Sequence, residues 1–217
     1  MVHEQVRRHI QSGWSPGEWE AVGLAHPVIR LYLAGRKADG DRLLREYTAA
    51  HEAGHAVLGL AVGLDVERVV VAHLHEIGDT GTLGYTEYRQ TRRTREDPYA
   101  GALNCLAGIA GHGLVYGDPW GLDAAAWSAP GTFGGLRDEA EAGGDAWEAR
   151  ALIRPIILRG ERFLGQSTVG GAMEAAIEQA EALLLPRRGA LLRLAGHLLS
   201  YGTADRATID QLLALPE

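Results

Sequence analysis

Cysteine is almost missing from this chain: Cys105 stands alone, which excludes an internal disulfide framework and any cysteine-rich zinc knuckle. A bound metal would have to be held by histidine and carboxylate. Lysine is as scarce. Lys37 is the only one, and Ala38 follows it where a phosphate-binding loop needs Ser or Thr, so no Walker-type ATPase site is encoded. The basic residues number 21 against 28 acidic ones, for a formal net charge of -7, the reverse of what duplex binding asks for. Long apolar runs are missing too. The stretch from Ala56 to Leu64 ends at Asp65, far short of the roughly 20 residues of a membrane-spanning helix. Residues Met1 to Ser12 carry Glu4, Arg7 and Arg8 without an apolar core, so no secretory signal is visible and the default expectation is cytoplasmic.

What is present is an ordinary globular composition, 46% hydrophobic and 23% charged over 217 residues, enough for one main domain. Residues 1–40 read as a lead-in of short helical pieces broken by Pro16, Pro27, Gly35 and Gly40. The domain proper is expected over 41–217. A long helix is predicted from Asp41, as N-cap, to about Val62, with Leu43, Leu44, Tyr47, Ala50, Gly54, Val57, Leu58 and Ala61 on its apolar face. The valine-rich Val66 to Ala72 and the run Thr82 to Tyr88 read as paired strands. Pro98 opens an apolar helix to Tyr116, and Gly117 to Gly135 reads as an irregular loop. Asp145 to Leu158 is helical with a kink expected at Pro155. Met173 to Leu184 and Leu191 to Leu199 form a helical hairpin, and Thr203 to Leu213 reads as a terminal helix. The fold class is α+β, mainly α-helical with a small β-sheet.

The chemistry concentrates at His51-Glu52-Ala53-Gly54-His55, a His-Glu-x-x-His pattern inside the strongest helical periodicity of the chain. Residues i and i+4 lie one turn apart, with Cβ atoms about 5–6 Å from each other, so two imidazoles converge on one ion. Glu52 sits beside them as a candidate general base for a water whose pKa zinc lowers to about 7. The competing reading is a pair of surface histidines, which the apolar flanks disfavour. Gly54 costs about 1 kcal/mol relative to alanine inside a helix, so something is expected to approach the backbone there.

The segment His51 to Val57 resembles the zinc motif of the FtsH-type peptidase domain, the proteolytic half of membrane-anchored AAA proteases. Leu83-Gly84-Tyr85-Thr86 resembles that family's strand near the substrate cleft. Leu106 to Gly117 resembles its second helix, and Met173 to Leu213 its C-terminal helices. The resemblance covers about Arg45 to Leu213. It implies a zincin-like helix, a Zn2+ cofactor and hydrolysis of peptide bonds in unfolded or extended polypeptide. Two departures stand out: His112 and Gly113 replace the family's paired glutamates, and the resemblance reaches neither an ATPase module nor a membrane anchor. Homo-oligomerisation and a separate ATPase partner are open expectations, since the family's ATP-bearing members form rings.

A site of this type needs a third protein ligand. A histidine six residues after His55 is ruled out, because that position is Ala61. The resemblance implies an aspartate opening a downstream helix, with alanine four residues on. Asp145 with Ala149 fits best. Asp138 with Ala142 is a second match, weakened by Gly143 and Gly144, and Glu148 is a further candidate. Each acid also reads as a plain helix cap.

His73 and His75 share one face at a strand end and read as solvated, with metal binding as the alternative. His112 reads as a core histidine, a partner to a zinc ligand or a substitute for the family's acid. Arg89, Arg92, Arg93 and Arg95 read as a solvated basic loop or a docking surface. Leu83 to Tyr88 reads as a paired strand or an open edge for an extended peptide. The expectation is therefore a zinc metalloendopeptidase with Glu52 as catalytic residue and His51, His55 and Asp145 as metal ligands. The rivals are a catalytically inactive zinc-binding interaction module and, more distantly, a small-molecule amidohydrolase.

Overall fold

The structure is a computed structural model that describes residues 31, 34–72, 84–89, 97–116 and 145–215. Helix α1 (Lys37–Ala61) leads into strand β1 (Val66–Val71) and strand β2 (Gly84–Tyr88). Helices α2 (Pro98–Tyr116), α3 (Asp145–Leu158) and α4 (Val169–Leu184) follow, and a short 3-10 turn (Leu185–Arg187) joins α4 to α5 (Arg188–Tyr201). Strand β3 (Thr203–Asp205) and helix α6 (Arg206–Ala214) complete the described chain. Mainly helical, with a three-stranded antiparallel sheet ordered β2-β1-β3, this is the expected fold class.

Three element boundaries differ from the sequence reading. Helix α1 begins at Lys37, with Arg36 at the N-cap position and no side-chain cap, so Asp41 lies within the helix and does not start it. The chain break that Gly40 suggests falls at Gly35, whose φ of 72° requires the left-handed region. Thr203 to Asp205 is a strand paired with Val70 to Arg68 of β1, where a single helix was expected; Asp205 then caps α6 by accepting from the Thr208 amide at 2.9 Å. Helix α3 continues through Pro155 to Leu158, on an exposed face where the lost amide donor is least costly. The helical pieces expected in residues 2–30, the loop 117–135, and His73, His75, Arg92, Arg93, Arg95 and Asp138 lie outside the described residues.

One core joins the elements. Val57 and Leu58 of α1, Val66 and Val69 of β1, Leu103 and Leu106 of α2, Ile153 of α3, and Leu184, Leu191, Leu194 and Ile209 of the C-terminal helices are buried together. Burying each such side chain contributes about 1.5–3 kcal/mol. Helix α1 is the centre of this packing, lying against α2, α5 and the sheet. In β1 the pairing slips between Val66 and Arg68, leaving Glu67 as an extra residue. That bulge lets Val66 and Val69 both face the core although three positions separate them.

Where α1 and α2 cross at Gly54 and Gly111, backbone meets backbone. A Cβ on Gly54 would lie 2.3 Å from the Ala107 carbonyl oxygen, and one on Gly111 would lie 2.7 Å from the Gly54 Cα. The close approach that Gly54 suggested is therefore a helix-to-helix contact. It fixes which residues of α2 overlook the two histidines.

Candidate metal centre

Helix α1 carries His51, Glu52 and His55 toward one open cleft of about 570 Å³, walled by β2, α2 and the start of α3. The i, i+4 spacing brings the two Nε2 atoms to 3.0 Å. Asp145, the first residue of α3, places Oδ2 2.8 Å from His51 Nε2 and 3.0 Å from His55 Nε2. These three side chains form a group able to hold a metal ion. Glu148, the other acid of this helix considered as a ligand, is not part of it.

The hydrogen bonds decide what the group asks for. His55 Nδ1 lies 2.7 Å from the Asn104 carbonyl oxygen, which only accepts, so Nδ1 carries the proton. Neutral His55 then turns a bare Nε2 toward the Asp145 carboxylate and toward His51. Acceptor atoms packed at 3 Å repel unless a cation lies among them, and a divalent metal fits that donor set of two imidazoles and a carboxylate.

Without a metal the cation is a proton. Burial disfavours charge on His55, but the adjacent Asp145 carboxylate outweighs it and the imidazolium pKa is pushed up to about 9. Burial likewise disfavours the Asp145 anion, and the charge on His55 outweighs it, holding the carboxyl well below its usual range. A folded-state pKa above the unfolded 6.5 means that the His55 contribution to stability is complete below pH 6.5 and lost as pH rises through about 9. The depressed Asp145 contributes above pH 3.8 and loses its contribution as pH falls. Metal-free protein should therefore be most stable between these limits. Its melting temperature should fall by several degrees, for at most about 3 kcal/mol, between pH 6.5 and 9. Thermal melts of chelator-treated protein across that range check this; a flat profile would contradict the pairing.

Glu52 is buried, on the side of the cleft facing β2. The Thr86 hydroxyl lies 2.9 Å from Glu52 Oε2 and 3.2 Å from the Glu52 carbonyl oxygen, so its single proton serves one or the other. A Cβ on Gly84 would meet Glu52 Cγ and Thr48 Cγ2 at 2.8 Å, and glycine there lets the strand settle onto the helix. Further in, Asn104 Nδ2 donates to the Tyr88 hydroxyl at 2.7 Å, and that hydroxyl reaches the His55 carbonyl oxygen at 3.4 Å. Burial pushes the Tyr88 hydroxyl upward, so it stays protonated. Asn104 thus steadies His55 through its backbone and ties α2 to β2 through its side chain.

Several of these supporting residues escaped the sequence reading. Gly108 is the clearest, because a Cβ there would lie 2.3–2.5 Å from the His51 ring. Its signal was the same as that of Gly54, a glycine inside an apolar helix. Asn104 gave no such signal, and Thr86 and Tyr88 were marked only as part of a strand beside the cleft, since their individual roles depend on pairings between distant elements. His112 is buried, edge-on to Tyr47 with ring centroids at 4.4 Å and beside Tyr116 at 5.2 Å, in an aromatic cluster that borders the cleft. Cys105 also borders the cleft, and burial together with the Glu148 carboxylate pushes its thiol upward, so it is no nucleophile.

A mainly helical α+β domain presenting a His-His-Asp metal group is the class that fold and site define. No family model matches the chain. It is nonetheless homologous to a zinc metalloprotease of the FtsH type: it is 34% identical over 231 aligned positions to the ATP-dependent zinc metalloprotease FtsH 1 of Symbiobacterium thermophilum. The alignment takes in 99% of this chain and 36% of the relative, so the chain spans about a third of that protein's length. Among the described residues no helix is long and apolar enough to cross a membrane.

Proposed function

We propose that this chain is a zinc metallopeptidase that hydrolyses peptide bonds in extended polypeptide. The observation that carries the reading is the convergence of His51, His55 and Asp145 beside a buried carboxylate, Glu52, that is no member of the group. Homology to a protein named as a zinc metalloprotease supports it. When bound, zinc supplies Lewis acidity to a carbonyl oxygen and lowers the pKa of water to about 7.

The protein's own residues do the rest. Asn104 fixes the tautomer of His55 and so aims Nε2 at the centre. Glu52, with the Thr86 hydroxyl beside its Oε2, takes the proton of the attacking water on its carboxylate and passes it to the departing amide nitrogen. Among the described residues β2 pairs only with β1. Its other edge offers backbone donors and acceptors to an extended peptide while Gly84, Thr86 and Tyr88 face α1. Water is the only co-reactant, so the hydrolytic step needs no nucleotide.

Metal analysis paired with casein digestion tests the reading. The expected result is about one zinc per chain, proteolysis abolished by a chelator and restored by zinc. Asp145→Ala should weaken metal binding by more than the roughly 10–100-fold cost of losing a supporting partner. Zinc bound stoichiometrically without turnover of any unfolded protein would favour the non-catalytic interaction module.

A further inference from the structure

Within the same cleft, one acid has no cationic counterpart among the described residues. Glu148 lies one turn after Asp145 on α3, exposed and lining the cleft. Its hydrogen-bond partner among the described residues is the Cys105 thiol on α2, 3.9 Å from Oε2, a weak donor at a long distance. Among the described residues no lysine or arginine lines the cleft. Some acids of the outer surface are paired. Asp65, Glu67, Glu87 and Asp210 each sit against an arginine.

We propose that Glu148 forms a side-chain subsite that selects lysine or arginine in the substrate next to the bond cleaved. The inference rests on the peptidase reading and adds to it the chemical character of the peptide. Counting charges at a loaded site, a divalent ion set against Asp145, Glu52 and Glu148 leaves one negative charge in excess. Asp145 and Glu52 are already engaged by histidine and threonine, so the excess is expressed at Glu148. Cys105 and Ile109, one turn apart on α2, also line the cleft and continue the wall that the Glu148 carboxylate approaches. A lysine or arginine stem can lie along such a surface and bring its charge to a carboxylate at the end. An acidic side chain is repelled from the same place. The bland role of an acid in a first helical turn, favourable contact with the helix dipole, would leave peptide preference untouched.

The test uses the zinc-loaded full chain and unstructured peptides that differ only in one residue flanking the cleaved bond: Arg, Lys, Gln or Glu. One flanking position should favour Arg and Lys over Gln by about 5–10-fold in kcat/KM, carried mainly by KM, with Glu poorest. The preference should shrink as salt is raised. Glu148→Gln should bring the ratio close to one, and Glu148→Arg should turn it toward Glu. A wild-type protein indifferent to charge at every flanking position overturns the proposal, as does Glu148→Gln slowing all peptides by a common factor. Failure of the wild-type protein to cut any peptide is a different result, which removes the peptidase reading and this one with it.

Discussion

Glu52→Gln should reduce peptide hydrolysis by roughly 10²–10⁴-fold, the usual contribution of a positioned general base, while zinc remains bound at the wild-type level. The substitution is close to isosteric, and the amide oxygen of glutamine can still accept from the Thr86 hydroxyl that now lies 2.9 Å from Oε2. The side chain is buried, so a change of shape there would be felt; the neutral amide keeps the shape and removes the basicity. His51, His55 and Asp145 are untouched, which is why metal content should not change. Steady-state kinetics on an unfolded substrate, with zinc measured on the same samples, decide the matter. Activity within tenfold of wild type would remove Glu52 from the mechanism, and simultaneous loss of zinc would make it part of the metal group instead.

Gly54→Ala should lower the melting temperature by on the order of 10 °C, against the ordinary rule that alanine improves a helix by about 1 kcal/mol. The added methyl would lie 2.3 Å from a backbone oxygen of α2, and a backbone neighbour cannot swing aside, so overpacking of about 3 kcal/mol or more is expected. Gly196→Ala is the control. It lies in α5, where a Cβ would meet nothing within 4 Å, and it should stabilise by roughly 0.5–1 kcal/mol. Gly108→Ala should separate the two effects, because its methyl would strike the His51 ring. The ring can yield where a backbone cannot, so the fold should lose little and zinc affinity much. Melting curves and zinc titrations of the three variants check the set; a Gly54→Ala protein as stable as wild type would rule out the close crossing of α1 and α2.

How much of this was readable beforehand follows from the range over which each feature is determined. The helix bearing His51, Glu52 and His55 was legible because its signal is local, an apolar period of 3.6 residues around a fixed i, i+4 pair. The start of α3 at Asp145 was legible for the same reason. That Asp145 comes within 3.0 Å of both imidazoles was expected through the family resemblance alone, because 28 residues outside the described set (117–144) separate α3 from α2 and spacing alone does not fix such a meeting. Strand β3 is only three residues long, and its place beside β1 is set by pairing across more than 130 residues, with the Thr203 hydroxyl donating to the Val69 carbonyl oxygen. Nothing in Thr203-Ala204-Asp205 taken by itself announces a strand. The irregular alternation of Val66 to Val71, likewise, makes sense only once the bulge at Glu67 is seen.

That bulge bears on how the chain tolerates changes of length. It takes up an odd residue on β1, so β2 keeps an unbroken alternation in which Thr86 meets Glu52 and Tyr88 meets Asn104. Insertions or deletions of one residue are thus absorbable in the middle strand and ruinous in its neighbour, where they would turn Tyr85 or Glu87 inward and take the hydroxyl away from the acid. A lineage of such chains would be free to drift in length on one strand and held to strict spacing on the next, with the aim of a helix-borne carboxylate as the reason.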